Sequence, residues 1–260
     1  MRASYHTHTY RCKHASGSAE EYIERGIAEG LSILGFSDHA PMPYKYGYVS
    51  SYKMLPEEIG EYFDELVALK EKYKSKIDVR IGFETEYYPS LWEDSLRFWK
   101  SYPVDYLILG QHFVPEEYFP DRVYSGNPTS EKQNVTTYVD RVIAGMNTGI
   151  ITYVAHPDLI NYTGKDNVFY LDEMSRIIEE AKRLAMPIEY NLLGKALGRN
   201  YPNRDFWNLA ADYKVDVIIG CDSHSPDRVA KKDEIENAEK YLFSLGFNVL
   251  DEIELKKVLF

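Results

Sequence analysis

The sequence predicts a single α/β domain arranged as a parallel barrel, and three features predict it. The 260 residues match the size at which α/β barrels occur as one unit. Short apolar runs alternate with segments of helical period along nearly the whole length, as parallel strands joined by crossover helices require. Linker-like runs, low-complexity segments and sequence repeats are lacking, so residues 1–260 are expected to form one domain.

Seven strands are expected, at 2–6, 31–37, 78–83, 104–111, 150–155, 187–191 and 215–221. Ser18 ahead of Ala19-Glu20-Glu21 reads as a helix N-cap with a glutamate at N3, and Gly30 and Gly35 punctuate the passage into the second strand. Leu55, Ile59, Tyr62, Phe63, Leu66 and Leu69 then fall at helical spacing with Glu and Lys on the opposite face. Val135, Tyr138, Val139, Val142, Ile143 and Met146 repeat the pattern, as do Leu171, Met174, Ile178, Ala181 and Ala185. These are amphipathic helices that cover a sheet. The stretches 40–54, 113–130 and 192–204 are rich in Pro, Gly, Asn and Tyr, and irregular pieces of that length are expected to be lids or binding loops. Lys231-Lys232-Asp233-Glu234 reads as a solvated helix face.

A 44% hydrophobic and 27% charged composition allows a sizeable core without staples. The net charge of −11 argues against a nucleic-acid partner, because affinity for a phosphodiester backbone comes from Lys and Arg replacing counterions. A small anionic substrate would instead need local positive charge, which bound metal ions supply. Cys12 and Cys221 show no CxxC spacing, which suits a reducing cytoplasm. No signal-peptide core follows the N-terminus, and no stretch approaches the ~20 apolar residues of a membrane span. A cytoplasmic protein that does not enter membranes is expected.

The histidines carry the functional reading. His6 and His8 end the first strand, His39 follows the second, and Glu84 and Glu86 follow the third. His112 ends the fourth, His156 follows the fifth, and Asp222 and His224 follow the seventh. In a parallel barrel all C-terminal strand ends open on one face, so these residues converge where barrel active sites lie. The spacings His6-x-His8 and Asp222-x-His224 put both side chains of each pair on one side of an extended chain. Imidazole with carboxylate is a ligand set for Zn, Mn or Fe. A lone histidine after a strand is more often a hydrogen-bonded structural residue, and Glu84 or Asp222 alone could cap a helix. Six strand ends carrying such residues together point to a metal-dependent hydrolase.

His6-Thr7-His8-Thr9, Gly35-Phe36-Ser37-Asp38-His39-Ala40, Gly82-Phe83-Glu84, Gly110-Gln111-His112, Ala155-His156-Pro157-Asp158 and Cys221-Asp222-Ser223-His224 together resemble the polymerase and histidinol phosphatase family of metallohydrolases. The resemblance spans almost the whole chain. The contexts His8-Thr-Tyr-Arg-Cys-Lys-His14, Ser37-Asp38-His39-Ala40-Pro41 and Glu189-Tyr190-Asn191 are most similar to its stand-alone histidinol-phosphate phosphatases. The resemblance implies a distorted barrel of seven βα units holding up to three divalent metal ions, Zn, Mn or Fe. Carried over residue by residue, the ligands would be His6, His8, His14, His39, Glu84, His112, His156, Asp222 and His224. His14 enters by resemblance alone, since it sits in a loop and would otherwise read as a surface residue.

The reaction so implied is hydrolysis of L-histidinol phosphate to L-histidinol and phosphate, in histidine biosynthesis. Two metal ions ~3.5–4 Å apart can acidify a bridging water and aim it at phosphorus, with Asp222 or His224 supporting it. Substrate contacts are expected from Arg199, Arg122, Lys13 and Arg11, with arginine favoured for holding phosphate through two parallel hydrogen bonds. Glu86 and Asp158 could meet the cationic amine of histidinol phosphate, or else hydrogen-bond the histidine ligands. Cys12 and Cys221 read as packing residues. The alternatives are a phosphodiesterase or nucleotide phosphatase of the same family, against which the acidic charge weighs, and an amide hydrolase, for which no lysine stands at a strand end. A non-catalytic, metal-stabilised barrel would require a filled coordination shell.

Overall fold

The computed structural model describes residues 1–258, so the last two residues of the expected 1–260 domain lie outside the described residues. All seven expected strands are present, each close to where the apolar runs place it: β1 (Ala3–Ser4), β2 (Ile33–Phe36), β3 (Asp78–Thr85), β4 (Tyr106–Leu109), β7 (Ile151–Val154), β8 (Ile188–Asn191) and β9 (Val217–Gly220). Two features were not anticipated. An eighth strand, β10 (Val249–Leu250), pairs with β9, and a short antiparallel pair, β5 (Phe113–Val114) with β6 (Val123–Tyr124), orders part of the loop 113–130. A two-residue strand has no periodicity to read.

The eight strands form one parallel sheet in the order β1-β2-β3-β4-β7-β8-β9-β10. The sheet curls back on itself: Thr7, beyond β1, bridges Ser223, beyond β9, with His8 N–H donating to Ser223 O at 2.9 Å and Ser223 N–H to His6 O at 3.2 Å. That closure brings both His-rich strand ends together.

Strand alternation splits the core in two. Along β4, Leu107 and Leu109 point outward and join Phe36, Ile81, Val154, Ile188 and Ile219 in packing against the helices, whereas Tyr106 and Ile108 point inward to meet Ala3, Tyr5, Tyr153 and Ile218. The Tyr106 hydroxyl spans the interior to donate to Tyr5 O at 2.6 Å. The barrel interior is thus a packed plug beneath its C-terminal mouth.

The helical expectations hold in place and period. Ser18 caps α1 (Ala19–Ala28) in a capping box with Glu21. The stretch from Leu55 becomes a 3-10 turn followed by α2 (Ile59–Tyr73), and Val135 to Met146 lie in α4 (Lys132–Met146), after α3 (Trp92–Trp99). Leu171 to Ala181 lie in α5 (Asn167–Arg183), with Ala185 just past its end. The loop 192–204 is corrected: Asn191 caps a five-residue helix, α6 (Leu192–Ala196), through Gly194 N–H, and α7 (Arg204–Tyr213) follows. Lys232, Asp233 and Glu234 open α8 (Lys232–Ser244) on its solvated side. Among the described residues no helix is long and apolar enough to cross a membrane.

Candidate active site

Glu84, at the end of β3, is the centre of the site. Its Oε2 lies 3.5 Å from His6 Nε2, 3.5 Å from His8 Nε2 and 2.9 Å from His39 Nδ1. Its Oε1 lies 2.8 Å from His156 Nε2 and 3.5 Å from His112 Nε2. One carboxylate therefore faces five imidazoles from four strand ends, two groups on its two oxygens. Asp222 Oδ1 closes the ring, at 3.5 Å from His6 Nε2, 3.3 Å from His8 Nε2 and 3.3 Å from His224 Nδ1. His14 stands at the rim, its ring 4.6 Å from that of His224 and 5.6 Å from that of His39. All nine expected ligands are thus gathered at the C-terminal mouth.

The backbone is adapted to this crowding. Gly110 and Gly220 end β4 and β9, and a Cβ on either would overlap the carboxylate of Glu84 or of Glu189 respectively. His156 and Asp222 follow their strands with φ of 29° and 48°, a left-handed region that costs a residue with a Cβ about 1–3 kcal/mol. Surrounding contacts hold them there: Glu189 accepts His156 N–H at 3.0 Å, and Asn191 donates to Asp222 Oδ2 at 3.1 Å.

Charge and solvation are sharply divided. Burial would push the Glu84 and Asp222 carboxyls up, but the imidazoles around them outweigh it and hold both well below the ordinary carboxylate range. Burial, then neighbouring His8, pushes His39 well below its usual value, and the same causes bring His224 down to about 4. His6 moves the other way: Glu189, Asp222 and Glu84 overcome its burial and raise it. Its Nδ1 meets Glu189 Oε1 at 2.7 Å, which leaves Nε2 turned to the cluster.

The residues fit a divalent metal. His39 Nδ1, Glu84 Oε2, Asp222 Oδ1 and His224 Nε2 are buried and make no hydrogen bond among the described residues, and buried polar atoms without partners are rare enough to require an explanation. Several triads of donor atoms lie within 4.8 Å of one another, among them His6-His8-Glu84, His6-His156-Asp222 and His8-His39-His224. Nitrogen and carboxylate oxygen donors at this density are the chemistry of a divalent site. Cys12 Sγ also comes within that distance of His14 and His224, but burial pushes its thiol up to about 12, as befits the packing role expected of it.

A cavity of about 430 Å³ opens above the cluster, walled by Tyr52, Phe113, Tyr124, Leu193, Leu197 and Tyr201 with Arg199 at its edge. Of the expected substrate cations only Arg199 lines it, donating to the Tyr201 hydroxyl at 2.9 Å. Lys13 and Arg122 are corrected: Lys13 is exposed and donates to Ser50 O, and exposed Arg122 lies over the Tyr48 ring. Neither reaches the cavity wall. Arg11 is committed to Glu65 at 2.7 Å. Of its two expected roles, Glu86 takes the contact with a histidine ligand and not the one with a substrate amine: it is fully buried behind the wall, with Lys53 at 2.6 Å and His112 Nδ1 at 3.3 Å. Asp158 accepts from Asn203 N–H and the Trp207 indole instead of facing the cavity. Sequence reasoning missed Lys53, Glu117 and the aromatic wall, because loop residues reach the site by paths that strand periodicity does not describe. Glu189 was quoted only as a motif residue, although its place at the end of β8 was the signal that could have found it.

Comparison with known proteins bears on the family and the fold. The PHP domain family matches residues 4–193. A Deinococcus radiodurans protein named "Probable histidinol-phosphatase" is 26% identical over 86% of this chain and 86% of its own length. A Schizosaccharomyces pombe protein of the same name is 25% identical over 98% of this chain and 90% of its own. The fold is that of the histidinol phosphate phosphatase from Lactococcus lactis, solved with zinc, L-histidinol and phosphate, at a TM-score of 0.71, 20% identity and coverage of 97% of this chain and 98% of that one. With the match running from the first strand past the end of the eighth and the histidine cluster at its centre, the chain belongs to the PHP domain family.

Proposed function

We propose that the protein is a metal-dependent phosphomonoesterase that hydrolyses L-histidinol phosphate, a step of cytoplasmic histidine biosynthesis. The observation that carries the reading is the sharing of Glu84 between two sets of imidazoles beneath a cavity whose edge holds Arg199. His6, His8, His14, His39, Glu84, His112, His156, Asp222 and His224 would hold up to three Zn, Mn or Fe ions. When bound, such ions neutralise phosphoryl oxygens and bring the pKa of a coordinated water from 15.7 towards ~7.

The chain's own residues supply the rest. Arg199, which lines the cavity, would hold phosphoryl oxygens through parallel hydrogen bonds. Tyr52, Phe113, Tyr124, Tyr201, Leu193 and Leu197 surround the leaving group with apolar and aromatic surface that suits a small ring. Asp222 and His224, 3.3 Å apart at the cavity floor, are the catalytic pair: together they orient the attacking water, and the proton that water loses passes to the departing alkoxide. The acidic chain and a cavity of about 430 Å³ favour a small phosphate monoester over a polynucleotide.

The test is metal analysis followed by phosphate release from histidinol phosphate, nucleotides and an aryl phosphate. Metal-loaded protein should release phosphate fastest from histidinol phosphate. Release from none of them would overturn the reaction class, and preference for a nucleotide would overturn the substrate.

A further inference from the structure

Lys53 is 1% exposed, and an ammonium taken so far from water is costly unless it is paired. Its Nζ lies 2.6 Å from Glu86 Oε2 and 3.0 Å from Glu117 Oε2, and donates to the Tyr44 hydroxyl at 2.9 Å. The rings of Tyr44, Tyr52 and Tyr88 lie 5.1 to 5.6 Å from it, within cation–π range. The cation thereby ties together the loop 40–54, the end of β3 and the segment after β5.

This knot has two outlets into the site. Glu86 Oε1 accepts from the Tyr52 hydroxyl at 2.6 Å and faces His112 Nδ1 at 3.3 Å. The Tyr52 ring stands edge-on to His39, with 4.8 Å between ring centres, and forms part of the cavity wall. A cation between two carboxylates is a poor way to stabilise an interior, since well-packed apolar residues in its place are often neutral or better. Its value lies in what it holds still.

We propose that Lys53 is a positioning residue: by fixing Glu86 and the loop 40–54, it sets His112 with Nε2 turned to Glu84 and seats Tyr52 over His39. The inference rests on the metal-site reading above. An outer carboxylate that orients a ligating imidazole is worth ~10–100-fold in metal affinity. Lys53→Met should therefore weaken zinc binding, read by chelator competition, by about that factor and raise KM for the phosphoester, while Lys53→Arg restores most of both. A merely structural lysine would lower the melting temperature and leave zinc affinity and KM of the folded protein unchanged, which would overturn the proposal.

Should Lys53→Met not fold, Glu86→Gln tests the same link. It leaves Lys53 paired one to one with Glu117 and removes only the charge facing His112, so wild-type zinc affinity in that variant would overturn the proposal. Zinc affinity also separates this inference from the phosphatase reading. Wild-type protein that binds zinc and cleaves no phosphoester removes the reaction, while the variant-to-wild-type affinity ratio still decides the role of Lys53.

Discussion

The floor and the rim of the site are built differently. His6, His8, Glu84, His156 and Asp222 are nearly inaccessible to solvent, lie on or within four residues of strand ends, and each meet a group from another strand or the segment just beyond it. His14, Leu197 and Arg199 are exposed and stand on loops or a helix end. A floor held by eight hydrogen-bonded strands has essentially one geometry, whereas the rim can change with loop sequence. In the proposed reading the floor therefore carries the reaction and the rim carries the choice of substrate.

Glu84→Gln gives the largest expected effect. It keeps the volume but removes the charge that both sets of imidazoles face, so loss of activity should exceed the ~10–100-fold cost of losing a ligand's outer partner. Metal analysis and phosphate release on the same sample check it, and a variant that keeps full metal content would show that Glu84 is not the shared centre. Gly110→Ala should come close behind. The added methyl would overlap the Glu84 carboxylate, and overpacking typically costs ~1–3 kcal/mol. Thermal melting and phosphate release should both fall, and a normal melt with normal turnover would mean that the floor yields more than strand geometry suggests.

His14→Ala distinguishes the two regions by count. It should remove one equivalent of metal and leave the remainder in place, because the His14 ring bonds to Cys12 O through Nδ1 and, among the described residues, makes no hydrogen bond to a floor residue. Metal stoichiometry by atomic absorption decides it, and loss of all metal would place His14 within the floor instead.

The same division explains what could be read from the sequence. His6, His8, Glu84, His156 and Asp222 were legible because an apolar run ending in a polar residue states both the strand and the face on which it opens. The inward Tyr106 and outward Leu107 of β4 follow from the same alternation. Lys53 and Glu117 were not legible. They pair across 64 residues of chain, and nothing local to either residue announces the other. Glu86 was expected to meet either a substrate amine or a histidine ligand, and the buried cation on its far side turns it away from the cavity and leaves it facing His112. Arg122 and Lys13 were expected as cations on loops at the face of the site, which says little about where a flexible loop side chain ends.

On the rim, Arg199 should show the largest binding effect. Hydrogen bonds to charged groups are worth about 1.5–3 kcal/mol, so Arg199→Met should lower kcat/KM by about ten- to a hundred-fold with metal content unchanged. Arg199→Lys should fall between the two, since it keeps the charge and loses the fork. Equal losses in Met and Lys variants would show that geometry, not charge, is what Arg199 supplies.

The smallest effects should come from Lys13→Ala and Arg122→Ala. Both side chains are exposed, Lys13 spends its ammonium on Ser50 O, and Arg122 rests on Tyr48 outside the cavity. Exposed charge contacts contribute about 0–1 kcal/mol, so neither variant should shift kcat/KM by more than about fivefold. Any shift should fade as salt screens charges lying more than ~8–10 Å from the phosphate. A large, salt-resistant loss in either variant would mean that the rim closes over substrate and brings that cation inward, so that the exposed rim is one position of a moving loop. Measuring both variants at low and high ionic strength separates long-range attraction, which salt removes, from direct contact, which it does not.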